Sequence, residues 1–233
     1  ASRAWRATAG QCRGGGGAIQ TTSNGGATWA KGASPARAIV RVQPLAGRIG
    51  FADAAGADCV LKEFTTNDEG RSWQGPQPVD GGWARQLGDS KLVVTPKRLN
   101  SRACGEQEVL DLARVSSTQA QVLCLDGGVK RTNDGGASWS QAGQVPDGLS
   151  LATRVKSGST LTYAARVSAT CPGIEIVQMM APGSDPKRVS CVSAPGRAAA
   201  GGVSLSTPSG AGWLAVGDET WVAGADLRQW KKV

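Results

Sequence analysis

Short alternations of apolar and polar positions, closed every 8 to 12 residues by clusters of Gly, Pro, Asn, Asp and Ser, run the length of the chain. A period of two over four to eight residues reads as a strand with one face buried. Residues 106–114 come nearest to a helical pattern, yet Val109, Asp111 and Ala113 alternate with Leu110 and Leu112 and also read as a strand. Other segments, such as residues 161–167 and 213–216, are almost continuously apolar, as expected of strands covered on both faces. The pattern predicts many short strands joined by turns and no long helix.

Self-similarity organises these strands. Residues 22–29 (TSNGGATW), 66–73 (TNDEGRSW) and 132–139 (TNDGGASW) align without gaps, and residues 225–230 (ADLRQW) keep a displaced aspartate and the tryptophan. The central Asn24, Asp68 and Asp134 can each accept hydrogen bonds from the backbone of their own turn, and Gly70 and Gly136 permit positive φ. Trp29, Trp73 and Trp139 then open the returning strand and cover the turn with apolar area.

The pattern [ST]-x-[DN]-x-G-x-[ST]-W resembles the Asp-box, or BNR, repeat. That resemblance implies a β-propeller in which each box joins the third and fourth strands of a four-stranded antiparallel blade. Each box supplies at most two carboxylates, whereas calcium takes six to eight oxygens, so the boxes are expected to be structural and no metal or cofactor is expected. The box tryptophans and Trp230 are 44, 66 and 91 residues apart. If each longer gap hides one blade without a box, the blades average about 40 residues, which favours six blades over five or seven.

On this scheme residues 83–87, 91–96 and 107–112 belong to a third blade, and residues 121–125 and 129–132 to a fourth. A fifth takes residues 149–155, 160–167, 174–179 and 188–192, and the last takes 203–206, 212–216, 220–222 and 229–233. Residues 1–11 are too few for two full strands, so the first blade is expected to be incomplete or to be completed by the C-terminal segment. No linker-like stretch interrupts residues 1–233, which are read as one domain.

Six cysteines without a C-x-x-C pair, in a Gly-rich β chain, point to three disulfides and an oxidising compartment: extracellular, periplasmic or cell-envelope. Fifteen pairings are possible. Placement in neighbouring turns favours Cys12 with Cys59, Cys104 with Cys124, and Cys171 with Cys191, the first two stapling adjacent blades and the third locking one blade. All six are expected at the blade end opposite the boxes.

The absence of histidine removes imidazole bases, the common Ser-His and Cys-His pairs and most zinc sites. A net charge of +8 comes from scattered residues, with no run of four, so no nucleic-acid footprint is expected. No apolar stretch approaches the roughly 20 residues of a membrane span, although a signal or anchor upstream of Ala1 is compatible with the chain.

The resemblance brings two functional classes. Sialidases need an arginine cluster, a tyrosine nucleophile and an acid; here Arg48-Ile49-Gly50 lacks the proline of the Arg-Ile-Pro element, and the single tyrosine, Tyr163, sits in an apolar strand. Other glycosidases need only two carboxylates, and the spacing of Glu63, Glu106, Glu108 and Glu175 singles out no pair. The chain is closer to non-catalytic receptor and assembly-factor members. The expected function is a monomeric binding or scaffold module, with a sialidase-like glycoside hydrolase as the alternative. Its partner would be a protein or an anionic cell-envelope polymer, met by the loop face opposite the boxes. Arg13, Arg37, Trp83, Arg98 and Arg102, with Lys31 and Lys97, are the candidate binding residues.

Overall fold

The computed structural model describes residues 2–45, 47–79, 82–194 and 198–233. Every regular element among them is a strand. The chain divides into two compact units, Ala1–Ser90 and Lys91–Val233.

The first unit holds two sheets. One is formed by β1 (Ala4–Thr8), β2 (Ala18–Thr22) and β3 (Ala30–Lys31), the other by β4 (Ala38–Pro44), β5 (Gly50–Ala55), β6 (Leu61–Thr66) and β7 (Gln74–Pro78), each in simple up-and-down order. Ile19, Ile39, Ala52 and Ala54 form its core, with Phe64 and Trp73 packed against it. Strand β5 is buried along its whole length, which explains its small residues. At Gly50 a Cβ would lie 2.3 Å from the Trp5 ring, so only glycine lets that ring close over the strand and meet Trp73 edge-on at 6.0 Å. β8 (Ala84–Arg85) ends the unit.

The second unit opens with β9 (Val93–Val94) and continues in three four-stranded antiparallel sheets. The first contains β10 (Val109–Arg114), β11 (Ala120–Cys124), β12 (Gly128–Thr132) and β13 (Ser140–Gln144). The next contains β14 (Gly148–Lys156), β15 (Ser159–Ser168), β16 (Cys171–Gln178) and β17 (Lys187–Val192). The last contains β18 (Val203–Ser206), β19 (Ala211–Val216), β20 (Glu219–Gly224) and β21 (Trp230–Lys232). Leu123, Val145, Leu151 and Val177 fill one core of this unit, and Ile174, Ile176, Leu214, Trp221 and Leu227 fill another. Tyr163 packs in the latter at 7% exposure, beneath the Arg154 guanidinium. Arg154 is itself buried and donates to the carbonyls of Thr207, Ala211 and Ala225, so backbone dipoles rather than a carboxylate compensate its charge.

The blades therefore number five, two in the first unit and three in the second, rather than the favoured six. Averaging the tryptophan spacing assigned a whole blade to residues that form only the two-residue strands β8 and β9. Residues 107–112 do not close a third blade; they fall within and before β10, which is the first strand of the following sheet. Leu87 and Leu99 point outward and cannot serve as core positions, and Val93 meets Ser101 through an isolated bridge instead of a continuous ladder. The last two blades fall where the strand pattern placed them. The first is three-stranded, with its box between β2 and β3, so the missing strand is the one that opens each complete blade. Strand β21 completes its own sheet by pairing with β20.

The disulfides are Cys12–Cys59, Cys104–Cys124 and Cys171–Cys191. Cys12 lies between β1 and β2 and Cys59 between β5 and β6, so this bond joins the two sheets of the first unit. Cys171–Cys191 links β16 to β17 within one blade. Cys104–Cys124 does not staple adjacent blades as expected: Cys104 lies in the segment leading into β10 and is tied to the end of β11, within one blade's reach.

Candidate binding cleft

The boxes fold by one scheme. Thr132 donates its hydroxyl proton to Asp134 Oδ1 at 2.7 Å and accepts from the Gly136 N–H at 3.0 Å, while Asp134 accepts the Ser138 N–H at 3.0 Å and its hydroxyl at 2.6 Å. Thr66, Asp68, Gly70 and Ser72 repeat this with distances of 2.6–3.0 Å. The Ser72 and Ser138 hydroxyls, then the backbone N–H groups, hold the Asp68 and Asp134 carboxyls well below the usual carboxylate range. In the first box the neutral Asn24 does the same work: Oδ1 accepts from Thr28 N–H at 3.0 Å and Nδ2 donates to the Thr28 hydroxyl at 2.9 Å. Among the described residues no group of three or more His, Cys, Asp and Glu is placed to hold a metal ion.

Each later box also hooks onto chain some 40 residues earlier. The Gly70 carbonyl accepts from Ala33 N–H at 2.9 Å, and the Trp73 indole donates to the Ala33 carbonyl at 2.9 Å. At the third box the Ser101 hydroxyl donates to the Gly136 carbonyl at 3.4 Å and accepts from the Trp139 indole at 2.9 Å. The degenerate fourth copy keeps the hook, with Ser190 donating to the Leu227 carbonyl at 2.7 Å and accepting from Trp230 at 3.0 Å. Gly70, Gly136 and Leu227 all have positive φ, at 79°, 84° and 58°. Residues 93–101 thus supply the third hook without building a blade.

This segment forms one wall of a cleft of about 450 Å³ lined by Arg98, Ser101, Arg102, Lys130, Ser138 and Trp139, with Ala103, Cys104, Gly105 and Ala137 completing it. Its wall is fixed by backbone bonds: Thr95 N–H to Arg98 C=O at 2.8 Å, and Lys97 N–H to the Gly135 carbonyl of the box at 3.0 Å. At Gly136 a Cβ would lie 2.4 Å from Thr95, so a side chain there would push the wall off the box. Arg102 Nη1 donates to both carboxylate oxygens of Glu106, at 2.9 and 3.0 Å, and Lys91 reaches the same carboxylate at 3.5 Å. Arg98 and Lys130 have no carboxylate partner among the described residues.

Arg98 and Arg102 thus come together as candidates, but beside a box and not on a face opposite the boxes, because Lys97 is bonded to Gly135. Arg13 and Arg37 come together separately, Arg37 donating to the Arg13 carbonyl at 3.4 Å, and Lys31 is exposed at the end of β3. Trp83 leaves the candidate set: at 1% exposure it is a core residue. Lys130, Ser101, Ser138 and Trp139 are cleft residues that the sequence pattern did not mark for binding: Ser101 shares a segment with Arg98, whereas strand β12 and the box fold bring the other three to it from more than 30 residues away. Of the candidate carboxylates, Glu175 is buried against Arg166 at 2.6 Å and Arg188 at 3.4 Å, and Glu106 is engaged as above.

No protein-family model matches the chain, and no curated protein matches it by sequence. Solved structures do. A six-bladed β-propeller lectin from Aleuria aurantia, described with a novel fucose recognition mode, is 11% identical, with all of this chain and 95% of the lectin covered and a TM-score of 0.57. YCF48 bound to a D1 peptide is 16% identical over 98% of this chain and 70% of that one, with a TM-score of 0.35. NanB, solved with Optactamide, is 10% identical over 85% of this chain and 32% of that one, with a TM-score of 0.36. The likeness to the lectin shows the fold, an all-β propeller of antiparallel blades.

Proposed function

We propose that the chain is a non-catalytic, secreted or cell-envelope binding module that grips an acidic partner, protein or glycan, in the cleft beside the third box. The observation carrying this reading is the convergence of Arg98, Arg102 and Lys130 on one concave site where two of the three cations have no carboxylate of their own. Like charges held together are unfavourable without a counter-ion, and an anionic ligand supplies it. Three disulfides fit an oxidising compartment. The lectin fold of the neighbour fits a propeller used for binding.

The test is binding of the purified chain to acidic proteins and acidic envelope polymers at low and high salt, compared with an R98E/R102E double variant. The expected result is salt-sensitive binding weakened by about tenfold or more in the variant. Equal binding by both proteins would remove the cleft from the function.

A further inference from the structure

We infer that the Cys12–Cys59 disulfide is a thiol-exchange site: the one bond of the three that a small thiol opens while the protein stays folded. It differs from the other two in what an attacking thiolate meets and in what it expels. Cys12 and Cys59 are both half-buried. Each of the other bonds joins a half-buried cysteine, Cys104 or Cys191, to a buried one, Cys124 at 2% or Cys171 at 4% exposure. Cys124 packs among Val93, Ala103, Val109 and Val122. Attack on Cys104 therefore expels a thiolate into apolar surroundings that do not solvate its charge, and attack on Cys191 likewise expels a buried one from Cys171. At Cys12–Cys59 either sulfur can be reached and either leaving thiolate meets water.

The approach is open as well. A Cβ at Gly15 would meet nothing within 4 Å, and one at Gly56 would meet only the Asp58 carboxylate at 3.5 Å, so the turns beside the two cysteines are uncrowded. Among the six cysteines, Cys59 alone has positive φ, at 58°, in the left-handed region that a Cβ disfavours. Opening the bond frees Cys59 to leave that region, which favours exchange here over the other two sites.

The exchange runs in two steps. A small thiolate attacks one sulfur, the Cys12–Cys59 bond breaks, and a mixed disulfide forms at that cysteine while the other leaves as a thiolate and takes a proton from water. A second thiolate attacks the small molecule's sulfur, giving the small-molecule disulfide and the second protein thiol, so two small thiols are oxidised as the cysteine pair is reduced. The sheets that the bond joins keep other ties. Gly17 N–H donates to the Arg37 carbonyl at 2.9 Å, Ile39 N–H to the Ala9 carbonyl at 2.7 Å and the Trp73 indole to the Ala33 carbonyl at 2.9 Å, and Ile19 and Ile39 share one core. The opened form is thus less stable but folded, and it closes again under oxidising conditions.

The test exposes the folded protein to reduced glutathione without denaturant, quenches in acid, alkylates the new thiols and locates them by peptide mass mapping. Cys12 and Cys59 should open at least about tenfold faster than the other four cysteines, with the glutathione mixed disulfide on one of them. Near-ultraviolet circular dichroism should keep its native form while they open, and oxidised glutathione should restore the same pairing. In guanidinium chloride the three bonds should open at comparable rates, and a difference persisting there would overturn the argument from exposure. Opening of Cys104–Cys124 or Cys171–Cys191 first, or of all three together, would overturn the inference. So would loss of the circular dichroism signal in step with the opening of Cys12–Cys59, because the bond would then be needed for the fold.

Discussion

The indole N–H of Trp139 donates to the hydroxyl of Ser101 at 2.9 Å, across 38 residues of chain. Ser101 is buried and also donates to the Gly136 carbonyl, so one hydroxyl ties the box to the segment preceding β10. Ser101→Ala should cost about 1 kcal/mol in a denaturant melt, because it removes the hydroxyl that joins the Trp139 indole to the Gly136 carbonyl. Ser190→Ala should cost a similar amount, since it removes the same link between the Trp230 indole and the Leu227 carbonyl. No loss at either site would show that the hook is not a stabilising contact.

The first box predicts what its relatives tolerate. Asn24 accepts the Thr28 N–H through Oδ1 just as Asp134 accepts that of Ser138, and it replaces the second carboxylate contact with an amide donor. Asp134→Asn should therefore melt close to the parent at neutral pH, whereas Asp134→Ala, which removes every acceptor, should melt several degrees lower. The acid limb gives a second signature. The folded pKa values of Asp68 and Asp134 lie below the ordinary aspartate value, so the stability they confer is complete above that value and is lost as pH falls through the folded pKa. Thermal melts below about pH 4 should fall less steeply for an Asp68→Asn, Asp134→Asn double variant.

The boxes were legible because their chemistry is local: threonine, aspartate, glycine and serine within eight residues satisfy one another whatever surrounds them. Cysteine pairing was legible for a related reason, since Cys12 and Cys59 occupy corresponding turns of adjacent blades. Blade number was not, because it depended on whether residues 79–108 form ladders, and spacing alone carries no information about the outward-facing Leu87 and Leu99. Trp83 illustrates the same gap: a tryptophan in a Gly-rich loop reads as a surface platform until its burial is known. The cleft was half legible. Arg98 and Arg102 stand out as basic loop residues, whereas Lys130 falls within the strand at residues 129–132 and nothing in its local sequence ties it to them.

Disulfide removal separates the two kinds of staple. Cys12–Cys59 spans 47 residues and each of the others spans 20. In the chain-entropy picture, closing the longer loop contributes about 4 kcal/mol and each shorter one about 3 kcal/mol. A Cys12→Ala, Cys59→Ala double variant should therefore lose more stability than a Cys171→Ala, Cys191→Ala variant in matched urea titrations. The reverse order would mean that loop length does not govern these staples.

Asp53 should give this protein an unusual pH response. Its side chain is fully buried on β5, with Oδ2 paired to Arg41 at 2.8 Å and Oδ1 buried without a hydrogen-bond partner. Burial pushes its pKa up from 3.8 to about 6, against the pull of Arg41 and with a small push from Glu63, its cross-strand neighbour. Between those two values the folded chain holds a proton that the unfolded chain has released, so stability declines as pH rises from about 4 to 6. A rise from 3.8 to about 6 corresponds to on the order of 3 kcal/mol. Asp53→Asn removes the titration while keeping the shape and an acceptor for Arg41. Its unfolding free energy, followed by urea melts from pH 4 to 7, should stay level over the window in which the parent's falls; parallel curves would mean that Asp53 ionises in the folded protein as readily as in the unfolded chain.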